Sequence, residues 1–244
     1  MSEHGGKGEP STLYTGHGNE QELAQTLSDL ARSLQNEQNT DDTLNGIVHA
    51  AVQTVPGAEQ AGITVVEARR KVDTRAATDE LVRKVDEVQY RSGEGPCLEA
   101  AYEHRTVRLP DMATENRWPS FTQGALDLGV RSMLSIQLFV VRDNLGALNL
   151  YSAEAEAFDD ESENVGLLFA AHAAVAMAGA VREDHMARAL SMRDVIGQAK
   201  GILMERHRIT AHQAFDLLVR ASQRTNTKLT EIARSLTETG ELPR

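Results

Sequence analysis

The sequence predicts an α+β domain, with an antiparallel sheet and flanking helices, joined by a long helix to a small all-α unit of three helices. Three observations predict it. β-Branched or alternating segments at 61–67, 106–109, 131–141 and 144–151 are framed by helical patterns at both ends. From Asp159 onward only helical periodicity remains, and no proline occurs between Asp159 and Arg208. The charge changes sign along the chain. Residues 1–181 hold 14 Lys and Arg against 28 Asp and Glu, a net of −14, whereas 182–244 hold 11 against 8, a net of +3. That asymmetry is expected when only one end of a chain meets a polyanion.

The elements follow in order. Residues 1–19 carry few apolar side chains and no hydrophobic run, so they read as a disordered tail and not as a signal peptide. Residues 20–35 space Leu23, Leu27, Leu30, Ala31 and Leu34 along one helical face. Thr40 is the expected N-cap of a second helix, with Asp41 and Asp42 in its first turn. That helix buries Leu44, Ile47, Val48, Ala51 and Val52, and Pro56-Gly57 stops it. Residues 61–67 form a strand, with 72–78 as its hairpin partner. Residues 79–90 read as a helix burying Leu81, Val82, Val85 and Val88.

Gly93 and Gly95 permit a tight turn, and Pro96 suits the first position of the helix that follows. Cys97 then lies in a first helical turn, where amide dipoles favour a thiolate and a redox role; a small buried core residue is the plainer alternative. A short strand at 106–109 and a helix at 118–128, with Phe121, Ala125 and Leu128 inward, complete this part. Residues 131–141 alternate Met133, Ser135 and Gln137 against Leu134, Ile136 and Leu138. They pair with 144–151 through the short connection Arg142-Asp143-Asn144. From Asp159 a helix is expected to bury Val165, Leu168, Phe169, His172, Val175 and Ala176, with His172 as a hydrogen-bonded core histidine.

That helix can run on unbroken toward Arg208. Ala189, Met192, Ile196, Ala199 and Leu203 recur at heptad spacing and form an apolar seam. A parallel homodimer would cover the seam; beyond Ile196 the chain's own last helices would cover it equally well. Arg193 and Lys200 lie seven apart beside the seam, and Gly197 and Gly201 leave room for another backbone. Thr210 and Gln213 have the spacing of a capping box for a helix that buries Ala214, Phe215, Leu218 and Ala221. Thr227 is expected to cap a last helix that buries Leu229, Ile232, Ala233 and Leu236 and stops at Gly240. Three helices around one core leave Arg193, Lys200, Arg220, Arg224 and Lys228 outside.

The 244 residues are 41% hydrophobic, enough for real cores, and no apolar run reads as a membrane span. The single cysteine excludes an internal disulfide and fits a cytoplasmic setting. No nucleophile–base pattern, phosphate loop or Cys/His metal cluster stands out, so no catalytic or metal site is expected.

Residues 23–180 resemble a GAF domain. The resemblance rests on G-E-G-P-C-L at 93–98, V-R-S-M-L-S-I-Q-L at 130–138, G-A-L-N-L-Y at 146–151 and the exit helix after Phe158. It implies a sensory domain for a small-molecule or protein signal over 20–180. Its pocket would lie near Tyr90, Cys97, Trp118 and Phe121. The ligand or cofactor stays unknown. Leu98 follows Cys97 where bilin-attaching relatives have His, and the cyclic-nucleotide pattern is matched only by Phe158 and the acidic run after it.

Residues 182–242 resemble an ANTAR domain, an RNA-binding module of bacterial antitermination regulators. The residues that carry this are Ala189-Leu190, Arg193, Ile196, Gln198-Ala199-Lys200-Gly201, Leu203-Met204, Ala214-Phe215, Leu217-Leu218, Ala221, Asn226, Lys228-Leu229 and Ile232-Ala233. The resemblance implies that 181–244 bind paired stem-loops in leader transcripts. RNA contact is expected at Arg193, Lys200, Gly201, Arg220, Arg224 and Lys228. A DNA-binding regulator and a pure dimerisation or partner-binding module are the two other readings that the residues allow.

Overall fold

In the computed structural model, residues 16–34, 37, 39–67, 71–103, 106–141 and 143–242 are described. The chain divides into two compact units, 1–180 and 181–244. The expected tail falls mostly on residues outside the described ones, as does the side chain of Leu23. The first helix, α1, spans Gly16–Leu34.

In the first unit, α2 (Thr40–Thr54) is capped by Asn39, not by Thr40. The Asn39 side chain accepts from the Asp42 amide, and Thr40 is already helical. The strands are β1 (Gln60–Glu67), β2 (Lys71–Ala77), β3 (Thr106–Leu109), β4 (Ser132–Val140) and β5 (Asp143–Ser152). Between them lie α3 (Glu80–Ser92), α4 (Pro96–Glu103) and α5 (Pro119–Asp127). The sheet order is β2-β1-β5-β4-β3, and every neighbouring pair is antiparallel.

Both faces of this sheet are covered, which the alternating sequence did not announce. Helices α1, α2 and α6 (Asp160–His207) cover one face, where Leu134, Ile136, Leu138, Leu148 and Leu150 meet Leu30, Ile47, Val48 and Phe169. Helices α3, α4 and α5 cover the other, with Met133, Ala147 and Tyr151 against Val85, Cys97 and Phe121. The polar members of the alternation, Ser135 and Asn149, are therefore fully buried. Gly146 in β5 has φ 136°, and a Cβ there would lie 1.8 Å from the Thr64 carbonyl oxygen. Only glycine lets β5 approach β1 this closely.

The inward face of α6 is Phe169, Ala170, Ala173, Ala174 and Met177. Leu168 and Val175, expected inside, are 50% and 67% exposed. His172 is exposed too, and its Nδ1 contacts the Leu168 carbonyl at 2.8 Å. Phe169 and Met177 fill this face together with three alanines, while Leu168 and Val175 lie on the other side of the helix. Among the described residues α6 is one helix long and apolar enough to cross a membrane by length and composition. That corrects the reading that no run qualifies: Asn164–Val181 holds no charged residue. Phe169, Ala173 and Met177 nonetheless pack in the first unit's core.

The second unit contains the rest of α6, then α7 (Ala211–Thr225) and α8 (Leu229–Thr239). Its core is Ala199, Leu203, Ala214, Leu218, Ala221, Ile232, Ala233 and Leu236. The lower end of the seam is thus covered by the chain's own helices. Met192 remains 48% exposed, and Ala189 is exposed. The capping box at Thr210 and Gln213 forms in both directions. Two expectations fail here. Phe215 is 37% exposed. Thr227 does not cap α8: Lys228 occupies that position without a side-chain bond, while the Thr227 carbonyl accepts from the Ser222 hydroxyl at 2.6 Å.

Candidate functional site

Two groups of residues carry chemistry, one in each unit. In the second unit, Ala199 and Leu203 must face the core, which turns Lys200 and Gly201 to its edge and Arg193 to solvent. Arg220 and Arg224 stand one turn apart on α7, and Lys228 opens α8; all three are exposed. Among the described residues Arg193, Lys200, Arg220 and Lys228 form no ion pair, whereas Arg188 and Arg208 are paired with Asp184 and Glu205. Unneutralised cations on a folded surface can meet phosphate at no cost of broken pairs. A Cβ at Gly201 or Gly197 would have nothing within 4 Å, so both leave open surface beside this basic line. The sequence reading passed over Arg234. It lines a shallow groove of about 430 Å³ on α8 with Lys228 and Glu231, and its outward i, i+3, i+6 spacing from those residues was the available signal.

In the first unit, Tyr90 and Cys97 meet at one atom. The Thr64 hydroxyl lies 2.9 Å from the Tyr90 hydroxyl, accepts from Cys97 Sγ at 3.2 Å, and accepts from Asn149 Nδ2 at 3.0 Å. A hydroxyl has one proton, so with two donors pointing at it Thr64 donates to Tyr90. Tyr90 then donates to Thr74 at 2.8 Å, and Thr74 donates to Asp86 Oδ2 at 2.8 Å. Tyr151 and Gln89 donate to Asp86 Oδ1. Every donor in this chain leads toward one carboxylate. β1 and β2 make it possible, because Thr64 and Thr74 are register partners on one face.

Asp86 is fully buried, and its surroundings divide over its charge. Burial disfavours the anion and dominates; the bonds from Tyr151, Thr74 and Gln89 and the charge of Arg83 oppose it. The result is a carboxyl pushed up to about 6. Burial and the nearby Asp86 charge raise the Tyr90 and Tyr151 hydroxyls. The same two causes push the Cys97 thiol up to about 12. Of the two readings of Cys97 the buried core residue holds and the thiolate fails: desolvation outweighs the helix dipole.

Phe121 is fully buried in the same layer as Cys97, and Trp118 is 7% exposed beside it. The Arg117 guanidinium stacks 4.2 Å from the Trp118 ring centre. Cys97, Trp118 and Phe121 thus share one core layer, while Tyr90 and Cys97 join the polar chain. Asp86, Gln89, Thr64, Thr74 and Asn149 were missed. Asp86 and Gln89 do sit at the i+4 and i+7 positions from Val82, on the buried face of α3, and a polar pair there was a readable signal. Among the described residues no group of three or more His, Cys, Asp or Glu could hold a metal ion.

Comparison with known proteins sorts these two groups. The GAF domain family matches residues 37–178, and the ANTAR domain family matches residues 184–236. No curated protein matches the chain. Solved structures share its fold at low identity. A GAF domain from a Coxiella burnetii phosphoenolpyruvate-protein phosphotransferase is 17% identical, with a TM-score of 0.53 over 70% of this chain and 99% of its own. A free methionine-R-sulfoxide reductase from Neisseria meningitidis, solved with its substrate, is 14% identical, with a TM-score of 0.54 over 71% and 98%. The bacteriophytochrome RpBphP3 from R. palustris is 11% identical, with a TM-score of 0.58 over 86% and 48%. At such identities the likeness shows the fold alone. The family matches show more: the first is a sensory domain, the second the mark of RNA-binding antitermination regulators. The chain belongs to the GAF domain family and carries an ANTAR domain after it.

Proposed function

We propose that this protein is a signal-responsive transcription antitermination regulator that binds stem-loop RNA through residues 181–244 and receives its signal through residues 20–180. It works in the cytoplasm as a homodimer and catalyses no reaction. The observation that carries the reading is the set of cations on the ANTAR unit: Arg193, Arg220 and Lys228, exposed, and Lys200, half-buried, form no ion pair among the described residues, on a chain whose remaining charge is strongly negative. A chain of this kind would be repelled by RNA everywhere except at that surface.

Arg193 and Lys200 on α6, Arg220 and Arg224 on α7, and Lys228 before α8 supply phosphate contacts, and Gly201 admits the ligand backbone. The exposed loops of the stem-loops supply base edges. Holding paired stem-loops in a leader transcript competes with a terminator hairpin. The signal enters the GAF unit and is carried by α6, one helix that belongs to both units.

A gel shift with the full chain against stem-loop RNA and duplex DNA tests this. RNA retarded in preference to DNA at moderate salt is expected. Preference for duplex DNA would make it a DNA-binding regulator, and binding of neither would leave a dimerisation or partner-binding module.

A further inference from the structure

One proton decides the direction of the hydrogen bonds along the buried polar chain. With Asp86 ionised, Cys97 donates to Thr64, Thr64 to Tyr90, Tyr90 to Thr74 and Thr74 to Asp86 Oδ2, at 3.2, 2.9, 2.8 and 2.8 Å. A protonated Asp86 is itself a donor and needs an acceptor. Oδ1 is closed to that proton, because Tyr151 and Gln89 both donate to it. Gln89 cannot turn over, since its Oε1 accepts from the Cys97 amide at 2.9 Å and so keeps Nε2 on Asp86. Among the described residues Oδ2 has one partner, Thr74, so the proton sits on Oδ2 and points at the Thr74 hydroxyl.

A hydroxyl has one proton to give and two lone pairs to receive, and that fixes the rest. Thr74 turns its proton to Tyr90, and Tyr90 turns its own to Thr64. Thr64 then accepts from Tyr90 and Asn149, and only Cys97 Sγ is left for its own proton. The Cys97 S–H turns away. We propose that this chain is a one-proton switch in the GAF unit: proton uptake by Asp86 reverses the bonds between Asp86, Thr74, Tyr90, Thr64 and Cys97, and converts Cys97 from donor to acceptor. One proton enters at Oδ2; every other group keeps its own and only rotates.

Asp86 is the group in this layer that changes charge. It faces Arg83 and Tyr90 on its own helix, Cys97 on α4 and Tyr151 on β5. Toward it β1 and β2 bring no charged side chain, only Gly62, Thr64 and Thr74. Arg83 stays cationic, and burial keeps the thiol and both phenols protonated. Burial also pushes the Asp86 carboxyl up to about 6, so both directions of the chain are populated near that pH. The two ends lie on separate helices, Asp86 on α3 and Cys97 in the first turn of α4, joined through β1 and β2. A change of pH at one helix is thereby registered at the other. The inference goes beyond the function proposed above and does not rest on RNA binding.

Infrared spectra of the full chain between about pH 4 and 8 test this. The chain has one cysteine, so its S–H stretching band belongs to Cys97. The C=O band of the Asp86 acid is the one missing from Asp86→Asn. In the parent the S–H band is expected to shift as Asp86 titrates, with one common midpoint. Asp86→Asn, whose amide donates where the carboxylate accepted, should show the acid form of the S–H band at every pH. Tyr90→Phe and Thr74→Val each cut the chain and leave Asp86 and Cys97 in place, with circular dichroism as the check on folding. There Asp86 should still titrate while the S–H band stays fixed. A parent S–H band that does not move while Asp86 titrates overturns the switch. So does a band that still shifts in either folded cut variant, because the Asp86 charge then acts on the thiol through space. A parent in which no Asp86 band titrates overturns it as well.

Discussion

Replacing Asp86 by Asn should change how the stability of the GAF unit depends on pH. The folded carboxyl titrates near 6 because burial outweighs its hydrogen bonds, against an ordinary 3.8. Between those values the folded chain holds a proton that the unfolded chain has already lost. Stability therefore falls as pH rises through this window, and Asp86 adds no further slope above it. At about 1.4 kcal/mol per pH unit the full effect is about 3 kcal/mol, or roughly 6–12 °C of melting temperature in a chain of this size. Asparagine is nearly isosteric. With its carbonyl in the place of Oδ1 it still accepts from Tyr151 and Gln89. Only the Thr74 bond must reverse, because the amide donates where the carboxylate accepted. The assay is urea unfolding of parent and Asp86→Asn between pH 4 and 8, with the difference taken at each pH. The variant should gain on the parent by about 2.5 kcal/mol from the acid to the neutral end, the first part of the change lying below pH 4. A flat difference, or one with the opposite slope, would refute the reasoning. It would mean that the donors converging on Asp86 stabilise its anion more than burial destabilises it.

Three further outcomes are expected. Arg193→Ala with Lys200→Ala should weaken stem-loop RNA binding by about 2 kcal/mol, roughly 30-fold, with an unchanged circular dichroism spectrum; equal affinity in the folded variant would remove both from the interface. Gly146→Ala should destabilise the first unit by more than about 3 kcal/mol, because φ is 136° and the added Cβ meets the Thr64 carbonyl; a urea midpoint within error of the parent's would contradict the close β1–β5 approach. Cys97 should resist alkylation at pH 8 in the native chain and react only on unfolding, since burial pushes its thiol up to about 12; rapid labelling of folded protein would place it outside the core.

Much of the local architecture was legible because local rules govern it. The capping box at Thr210 and Gln213 is a property of four consecutive residues, and it formed as spelled. The strand at Thr106–Leu109 and the pairing of β4 with β5 followed from local pattern, although Asp143 and Asn144, expected in the connection, already belong to β5 and pair with Val140 and Phe139. The small errors were local competitions. Asn39 outdid its neighbour Thr40 as a cap, and the last helix began one residue late with Lys228 in the cap position.

The sequence by itself determined the order of elements, the two families, and the basic surface of the second unit. Periodicity and charge act along one chain and need no partner to be read. Tertiary structure alone decided which face of α6 was inside. Both faces are apolar, so periodicity cannot choose between them; the side bearing Phe169, Ala173 and Met177 went to the core and left Leu168 and Val175 exposed. It alone decided that Ala199 and Leu203 serve the chain's own core while Met192 stays outside. It also gathered Thr64, Thr74, Asp86, Cys97, Asn149 and Tyr151 into one donor chain from five separate elements. No spacing in sequence could show that, because hydrogen bonds across a sheet depend on register between strands and on the helix laid over them.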